Sequence, residues 1–101
     1  TNGARIGQWD YMGGANQHWN IENLGDGQYR ILSTFSRKAF EVGGFSTLNG
    51  GPVQQWDYIT GENQLWNIVH VADGYYRIKN KHSGKCAEVT GYGVTNGTFI
   101  Q

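Results

Sequence analysis

The stretch VQQWDYITGENQLWNI, at residues 53–68, contains two tryptophans ten positions apart, each with a glutamine two positions before it. Nearly the same stretch, IGQWDYMGGANQHWNI, occurs 47 positions earlier, at residues 6–21. Placing residues 1–54 over residues 48–101 without a gap gives about 25 identities in 54 positions, far more than chance allows. The sequence is therefore an internal repeat with a period of 47 residues.

The repeat predicts how the 101-residue chain is divided. DGQYRI pairs with DGYYRI, SRKAFEV pairs with SGKCAEV, and the dipeptide Asn-Gly occurs three times at the same position of the repeat. We expect a single domain over residues 1–101, with one repeat at 1–47, a second at 48–94 and the start of a third at 95–101.

Composition argues against charged partners. Eight basic and eight acidic side chains give no net charge, so nothing favours association with nucleic acid or with an anionic membrane surface. No apolar run is long enough to span a bilayer. We expect neither nucleic acid nor a membrane among the partners.

Short apolar segments separated by turn residues predict an all-β fold. About four such segments fall in each repeat, at roughly the 8–12 residue spacing of sandwiches and barrels, and none has a helical period. Asp26-Gly27 and Asp73-Gly74 favour tight hairpin turns in which both central residues have φ > 0. Helix should be almost absent.

Cys86 is the only cysteine, so the chain has no internal disulfide. We expect a buried structural thiol, with a reactive or intermolecular thiol as the alternative.

A four-strand repeat of 47 residues that carries NQLW and KCAEV at constant offsets resembles the ricin B-chain type lectins, and especially the bacterial family 13 carbohydrate-binding modules. The resemblance covers the whole chain. It implies a β-trefoil, in which three such repeats close a barrel capped by hairpins. Because only about two of the three repeats are present, we expect another chain to complete the fold.

The resemblance assigns different roles to the two Gln-x-Trp units of a repeat. The tryptophan of the second unit belongs to the core in that family, which implies core positions for Trp19 and Trp66. Their expected core neighbours are Ile21, Ile31, Val42, Val53, Ile68, Ile78 and Val89.

The first unit would supply a saccharide site. In the family, an acidic side chain, an aromatic platform and an Asn-Gln pair form one pocket per repeat, and the matching residues here are Glu41, Gln54, Trp56, Asn63 and Gln64. The indole face suits the C–H groups of a sugar ring, while carboxylate and amide groups suit its hydroxyls. Gln64 is expected to brace the carboxylate. The family usually has Asp where this chain has Glu41, so we expect the longer side chain to alter the ligand or its affinity.

A second set of these residues is divided between the two ends of the chain. Glu88 and Gln101 begin a site that has no following tryptophan, whereas the first repeat has an aromatic and an Asn-Gln pair without an acid. A composite site between chains would combine Glu88 and Gln101 with Trp9, Asn16 and Gln17.

Other functions find less support in the sequence. The three histidines are scattered, so no metal site, cofactor or catalytic relay is expected, and a glycosidase pair of Glu41 with Asp57 or Glu62 is the weak enzymatic alternative. The second alternative function is a protein-binding or inhibitory trefoil with vestigial sugar sites.

The predicted protein is a non-catalytic lectin or carbohydrate-binding module for galactose-type sugars or a plant or microbial polysaccharide. We expect it to be secreted, and to be either a homo-oligomer, with a trimer as one form, or part of a longer chain.

Overall fold

Six β-strands and four single 3₁₀ turns form the regular structure in a computed structural model that describes all 101 residues. The strands are β1 (Trp19–Gly25), β2 (Gln28–Ser33), β3 (Ala39–Val42), β4 (Val53–Trp56), β5 (Trp66–Ala72) and β6 (Tyr75–Asn80). The turns are Ala15–Gln17, Gly43–Phe45, Glu62–Gln64 and Thr90–Tyr92. No α-helix forms, which confirms the all-β prediction. None of the helical turns is long and apolar enough to cross a membrane.

Two hairpins, β1–β2 and β5–β6, occupy the same position in their repeats. In the first hairpin, Asp26 and Gly27 have φ of 54° and 75°, as predicted for a tight turn. In the second, only Gly74 has a positive φ, so the expectation for Asp73 was wrong. The first turn differs because Gly25, with φ of 94°, precedes it, whereas Ala72 stands at that place in the second hairpin.

The strands form one antiparallel sheet in the order β4-β3-β2-β5-β6, with β1 paired to β2. β2 and β5 connect the two repeats, because Gln28 lies opposite Asn67 and Tyr29 lies opposite Trp66. β3 and β4 pair over four positions, and this ladder carries most of the candidate site.

A ring of backbone hydrogen bonds joins three equivalent positions of the repeat. The amide of Ile6 donates to the carbonyl of Val53, Val53 donates to Ile100, and Ile100 donates back to Ile6, at 3.0, 3.3 and 2.9 Å. These residues are 47 positions apart, so the ring is the centre of a threefold arrangement. Residues 95–101 therefore fill the third position of this ring within the same chain. The repeat boundaries themselves stay a prediction.

The core is small and is formed by residues of both repeats. Ile31, Val42, Val53 and Trp66 are its buried members, as predicted. The other expected core residues Trp19, Ile68, Ile78 and Val89 are only half-buried. Ile21 was predicted to be buried and is 55% exposed.

The failed burial predictions share one cause, which is an open flank beside the first and third positions of the threefold arrangement. Trp66 is 1% exposed because its strand β5 pairs with β2 as well as with its hairpin partner β6, whereas β1 at the equivalent Trp19 pairs only with its hairpin partner β2. Cys86 was expected to be buried and is exposed. Its equivalent, Ala39, is fully buried opposite Trp56 of β4, whereas Cys86 makes only an isolated bridge to Lys79.

Candidate functional site

The β3–β4 ladder places the predicted site residues on one face of the sheet. Glu41 lies opposite Gln54, and Ala39 lies opposite Trp56. Because side chains two apart on a strand point to the same face, Gln54 and Trp56 share the face of Glu41. The structure therefore brings together the acid, the first glutamine and the tryptophan that the sequence assigned to one site.

Three side-chain amides converge on the Glu41 carboxylate, which is 5% exposed. Gln54 Nε2 donates to Oε2 at 2.9 Å, while Gln64 Nε2 and Asn63 Nδ2 donate to Oε1 at 3.0 and 3.4 Å. Hydrogen bonds to an ionised acceptor are stronger than those between neutral groups. The longer glutamate side chain thus reaches the Asn-Gln pair and holds it in place.

The helical turn Glu62–Gln64 positions the Asn-Gln pair. Gln64 is fully buried, and its Oε1 accepts hydrogen bonds from the amides of Ile59 and Gly61, at 2.9 and 3.3 Å. Its Nε2 also donates to the carbonyl of Asp57, at 2.7 Å. Gln64 therefore connects the loop to the carboxylate, which is the bracing role predicted for it.

Two oxygen atoms beside the carboxylate have no protein partner. Asn63 uses its Nδ2 on Glu41 and on the carbonyl of Val42, and Oδ1 accepts nothing; Gln54 Oε1 likewise accepts nothing. Because no side-chain polar atom is completely buried without a partner, both oxygens keep some contact with solvent, although Asn63 as a whole is only 3% exposed. They are free to accept hydrogen bonds from a ligand.

Two exposed aromatic rings accompany these acceptors. Trp56 is 38% exposed, as expected of a platform, and Phe45 is 47% exposed. A Cβ on Gly61 would lie 3.3 Å from Phe45 Cζ and 2.6 Å from Asn63 Oδ1, so the ring lies next to the free amide oxygen. Phe45 also packs edge-on against His82, with ring centroids 5.3 Å apart.

Sequence reasoning missed Phe45, although the repeat contains a signal for it. Phe45 has φ of 54°, and Tyr92, 47 positions later, has φ of 57°. Non-glycine residues rarely adopt this left-handed conformation. An aromatic that follows a glycine at the same position of both repeats, in the loop after the acidic strand, could have indicated a ligand contact.

An ion pair holds the segment after Trp56. Lys38 Nζ lies 2.6 Å from the Asp57 carboxylate and also donates to Asn2 Oδ1, at 2.8 Å. Asn2 in turn donates to Asp57 and accepts from its backbone amide. The hydrogen bonds from Lys38 and then Asn2 lower the pKa of Asp57 below its ordinary value of 3.8.

The composite set is divided between two clefts within the chain. Glu88 and Gln101 line a cleft of about 350 Å³, where Gln101 Nε2 donates to Glu88 at 3.2 Å, as Gln54 does to Glu41. Trp9, Asn16 and Gln17 line another cleft of about 890 Å³. The single chain therefore does not bring the two halves together, and a site shared between chains stays a prediction.

The carboxylates considered for a glycosidase pair have other partners. Asp57 pairs with Lys38, and Glu62 pairs with Lys81 at 3.4 Å. No group of three or more histidine, cysteine, aspartate or glutamate side chains is arranged to hold a metal ion.

Comparison with known proteins agrees with this geometry. A family model described as ricin-type beta-trefoil lectin domain-like matches residues 1–56 and residues 15–101, which together account for the whole chain. A search of curated proteins found no match.

Solved structures show the same fold. The chain is similar to a designed 3-fold symmetric protein, ThreeFoil, with 39% identity and a TM-score of 0.98 over 99% of this chain and 71% of that one. It is also similar to 1,3Gal43A, an exo-beta-1,3-galactanase from Clostridium thermocellum, with 33% identity and a TM-score of 0.89 over 93% of this chain and 20% of that one. The match to Polyporus squamosus lectin has 19% identity and a TM-score of 0.67, and it covers 82% of this chain and 34% of the lectin chain. At this level of identity the match supports the fold alone. The predicted β-trefoil fold is confirmed.

Proposed function

The chain belongs to the ricin-type beta-trefoil lectin domain-like family, and we propose that it binds a neutral saccharide at the site formed by Glu41, Gln54, Trp56, Asn63 and Gln64. The fold of this family supports carbohydrate binding in general. The specific ligand and these particular residues are our proposal.

The observation that carries the proposal is a group of acceptor oxygens next to exposed aromatic rings. Asn63 Oδ1 and Gln54 Oε1 are unpaired, and both lie near the Glu41 carboxylate. Sugar hydroxyls are donors that such oxygens can bind, and the Trp56 indole offers a face for the C–H side of the ring. Phe45 adds a second apolar surface beside Asn63.

Glu41 has a narrower role in this proposal than the sequence suggested. A carboxylate has roughly four lone-pair positions, and three amide donors already occupy positions on this one. About one position remains for a sugar hydroxyl. The main task of Glu41 is to orient the amides, and the neutral amide oxygens make more of the direct contacts.

Galactose-type sugars are the preferred ligands. An axial hydroxyl leaves one side of the ring free to stack on Trp56 while the polar groups bind the other hydroxyls. The similarity to part of an exo-beta-1,3-galactanase supports this choice. Xylan and arabinan fragments are the next candidates.

We propose a non-catalytic module that works either as an appendage of a secreted polysaccharide-degrading enzyme or as a unit of a lectin. The carboxylates nearest the site are engaged with amides or lysines, which supports binding without cleavage. Attachment to a larger assembly raises the effective concentration at a polymer, so weak single sites suffice.

Calorimetric titration with galactose, β-1,3-galactan fragments and arabinose or xylose oligomers tests the proposal. Trp56→Ala should weaken binding of a positive ligand by about 1–3 kcal/mol, because the stacking surface is lost. Tyr75→Ala is the control: it removes another exposed aromatic ring, which lies at the start of β6 and belongs to none of the proposed sites. Equal affinity of Trp56→Ala and the parent would reject the site, and failure of every saccharide to bind would favour the protein-binding alternative.

A further inference from the structure

The loop at residues 80–85, which begins at the end of β6, is hydrogen-bonded to the turn that carries Asn63. Asn80 is 1% exposed, and its Nδ2 donates to the carbonyl of Asn63 at 2.9 Å. Asn80 Oδ1 accepts hydrogen bonds from the amides of His82 and Ser83, at 3.1 and 3.2 Å. One buried side chain therefore connects the backbone of Asn63 to the backbone of His82.

Further contacts of Lys81 and Asn80 fix the position of this loop. The amide of Lys81 donates to the carbonyl of Leu65 at 2.9 Å, and its Nζ pairs with Glu62 at 3.4 Å. The amide of Asn80 donates to the carbonyl of Lys85 at 2.8 Å. None of these bonds involves the imidazole of His82, so the loop holds its shape without that side chain.

The imidazole of His82 is exposed and lies edge-on against Phe45, with ring centroids 5.3 Å apart and an interplanar angle of 88°. Its ring nitrogens make no hydrogen bond within the protein, in contrast to His18 Nε2, which lies 3.1 Å from the hydroxyl of Tyr11. A neutral imidazole has one donor and one acceptor. Both are free in His82.

The Phe45 ring adjoins two free polar groups at once. A Cβ on Gly61 would touch both Phe45 Cζ and Asn63 Oδ1, and the other contact of the ring is His82. Phe45 is held there by a left-handed backbone with φ of 54°, a conformation that costs energy in a non-glycine residue. The ring therefore provides a continuous apolar surface from the free amide oxygen to the imidazole.

Exposure is a property of this position in the repeat. Phe35 stands 47 positions before His82 and is 74% exposed, although β3 and β4 follow it in the chain. Phe35 makes no contact with another aromatic ring and has no polar atom in its side chain. The second repeat thus places a polar ring at an exposed position where the first repeat has an apolar one.

We propose that Phe45 and His82 form a second saccharide subsite, so that the ligand has at least two sugar units and the second unit exchanges hydrogen bonds with the His82 imidazole. This inference rests on the proposed function, in which the first unit occupies the site of Trp56 and Asn63. A sugar unit combines a C–H surface with hydroxyls that both donate and accept. Phe45 suits the first feature, and the free donor and acceptor of His82 suit the second.

The charges around His82 favour a neutral second unit. Lys81 and Glu62 form an ion pair with each other, so neither is available to a charged ligand without losing its partner. Lys85 lines the separate cleft that contains Glu88. A uronic or sulfated unit would therefore find no unpaired cation beside the imidazole.

Calorimetric titration with galactose and β-1,3-galactobiose, and with xylose and xylobiose, tests the second subsite. The disaccharide should bind the parent chain about five- to tenfold more tightly than its monosaccharide, because a hydrogen bond and an apolar contact are added. His82→Ala should remove most of this gain and leave the monosaccharide affinity unchanged. His70→Ala is the matched control, since His70 is also exposed and packs edge-on against Tyr76, with centroids 5.1 Å apart.

His82→Phe separates hydrogen bonding from ring packing. It introduces the residue that the first repeat has at this position, so it keeps an aromatic ring and removes both nitrogens. We expect it to lose most of the gain as well. Equal parent affinity for mono- and disaccharide, a full gain in His82→Ala or His82→Phe, or an equal loss for both ligands would overturn the second subsite and leave the first one standing. Absence of all saccharide binding would overturn both.

Magnetic resonance of the histidine ring nitrogens gives a second readout in the unmodified chain. Galactobiose should shift the signals of His82, whereas galactose should leave them in place, because only the second unit reaches the imidazole. The signals of His70 should respond to neither sugar. Identical responses of His82 to galactose and to galactobiose would also overturn the proposal.

Discussion

The buried side chain of Glu41 holds the other polar side chains of the site in position. Its carboxylate is buried under three amide donors, so it positions the Asn-Gln pair and shares little surface with solvent. Glu88, at the same position of the second repeat, is exposed and bonded only to Gln101. The same substitution at the two glutamates therefore compares a buried carboxylate with an exposed one.

Glu41→Gln should destabilise the chain by about 1–3 kcal/mol, because an amide NH₂ would face donor groups and leave a buried polar group unsatisfied. Glu88→Gln should change the free energy of unfolding by less than about 0.5 kcal/mol, since it is exposed. Denaturant titration of both variants measures the difference. Equal losses in the two would contradict the structural role of Glu41.

Phe45 and Tyr92 are two aromatic residues with the same left-handed backbone conformation, and only Phe45 lies beside the proposed site. Tyr92 is 98% exposed, so Tyr92→Gly should stabilise the chain by about 0.5–1 kcal/mol by removing backbone strain, without changing saccharide affinity. Phe45→Gly should relieve the same strain but weaken binding, because the ring beside Asn63 is lost. Thermal unfolding and calorimetric titration of each variant separate the two effects. Unchanged affinity in Phe45→Gly would exclude Phe45 from the ligand site.

Hairpins and loops were predictable from sequence to the extent that their structure is local. The resemblance to the family predicted the grouping of Glu41, Gln54 and Gln64; the register of the β3–β4 ladder fixes the pairing of Glu41 with Gln54, and the turn Glu62–Gln64 brings Gln64 to the carboxylate. Phe45 was missed because its importance depends on backbone conformation. Cys86 and Ile21 were misplaced because their burial depends on a neighbouring repeat, which local pattern does not encode.

The segment that follows Trp56 should respond to acid through Asp57. The pKa of Asp57 is lowered in the folded state, mainly by Lys38 and then by Asn2, so its contribution to stability is present above the ordinary value of 3.8 and is lost as the pH falls through the lower folded-state value. In Asp57→Asn and in Lys38→Met, the unfolding temperature should decrease less than in the parent chain as the pH is lowered. Parallel curves for the parent and both variants would contradict this origin of the acid sensitivity.

The molecule as a whole is organised around three equivalent positions, only two of which carry a full repeat within the chain. The central ring shows that the threefold arrangement exists even where the third position is filled by residues 95–101 alone. Stability and exposure are consequently uneven, since the core beneath Trp66 is closed while the surface near Trp19 is open.

Cys86 reports directly on the state of the open flank. Its equivalent, Ala39, is fully buried under the neighbouring repeat, so joining a copy of residues 55–94 after Gln101 should bury the thiol in the same way. We expect a disulfide reagent to react rapidly with Cys86 in the dilute parent chain and at least tenfold more slowly in the extended chain, because a buried thiol must await local opening. A Val94→Cys, Cys86→Ala variant, with its thiol at an exposed site outside the flank, should react at similar rates in both backgrounds. Equal rates for Cys86 in the two chains would show that the third position does not take up a repeat as the second position does.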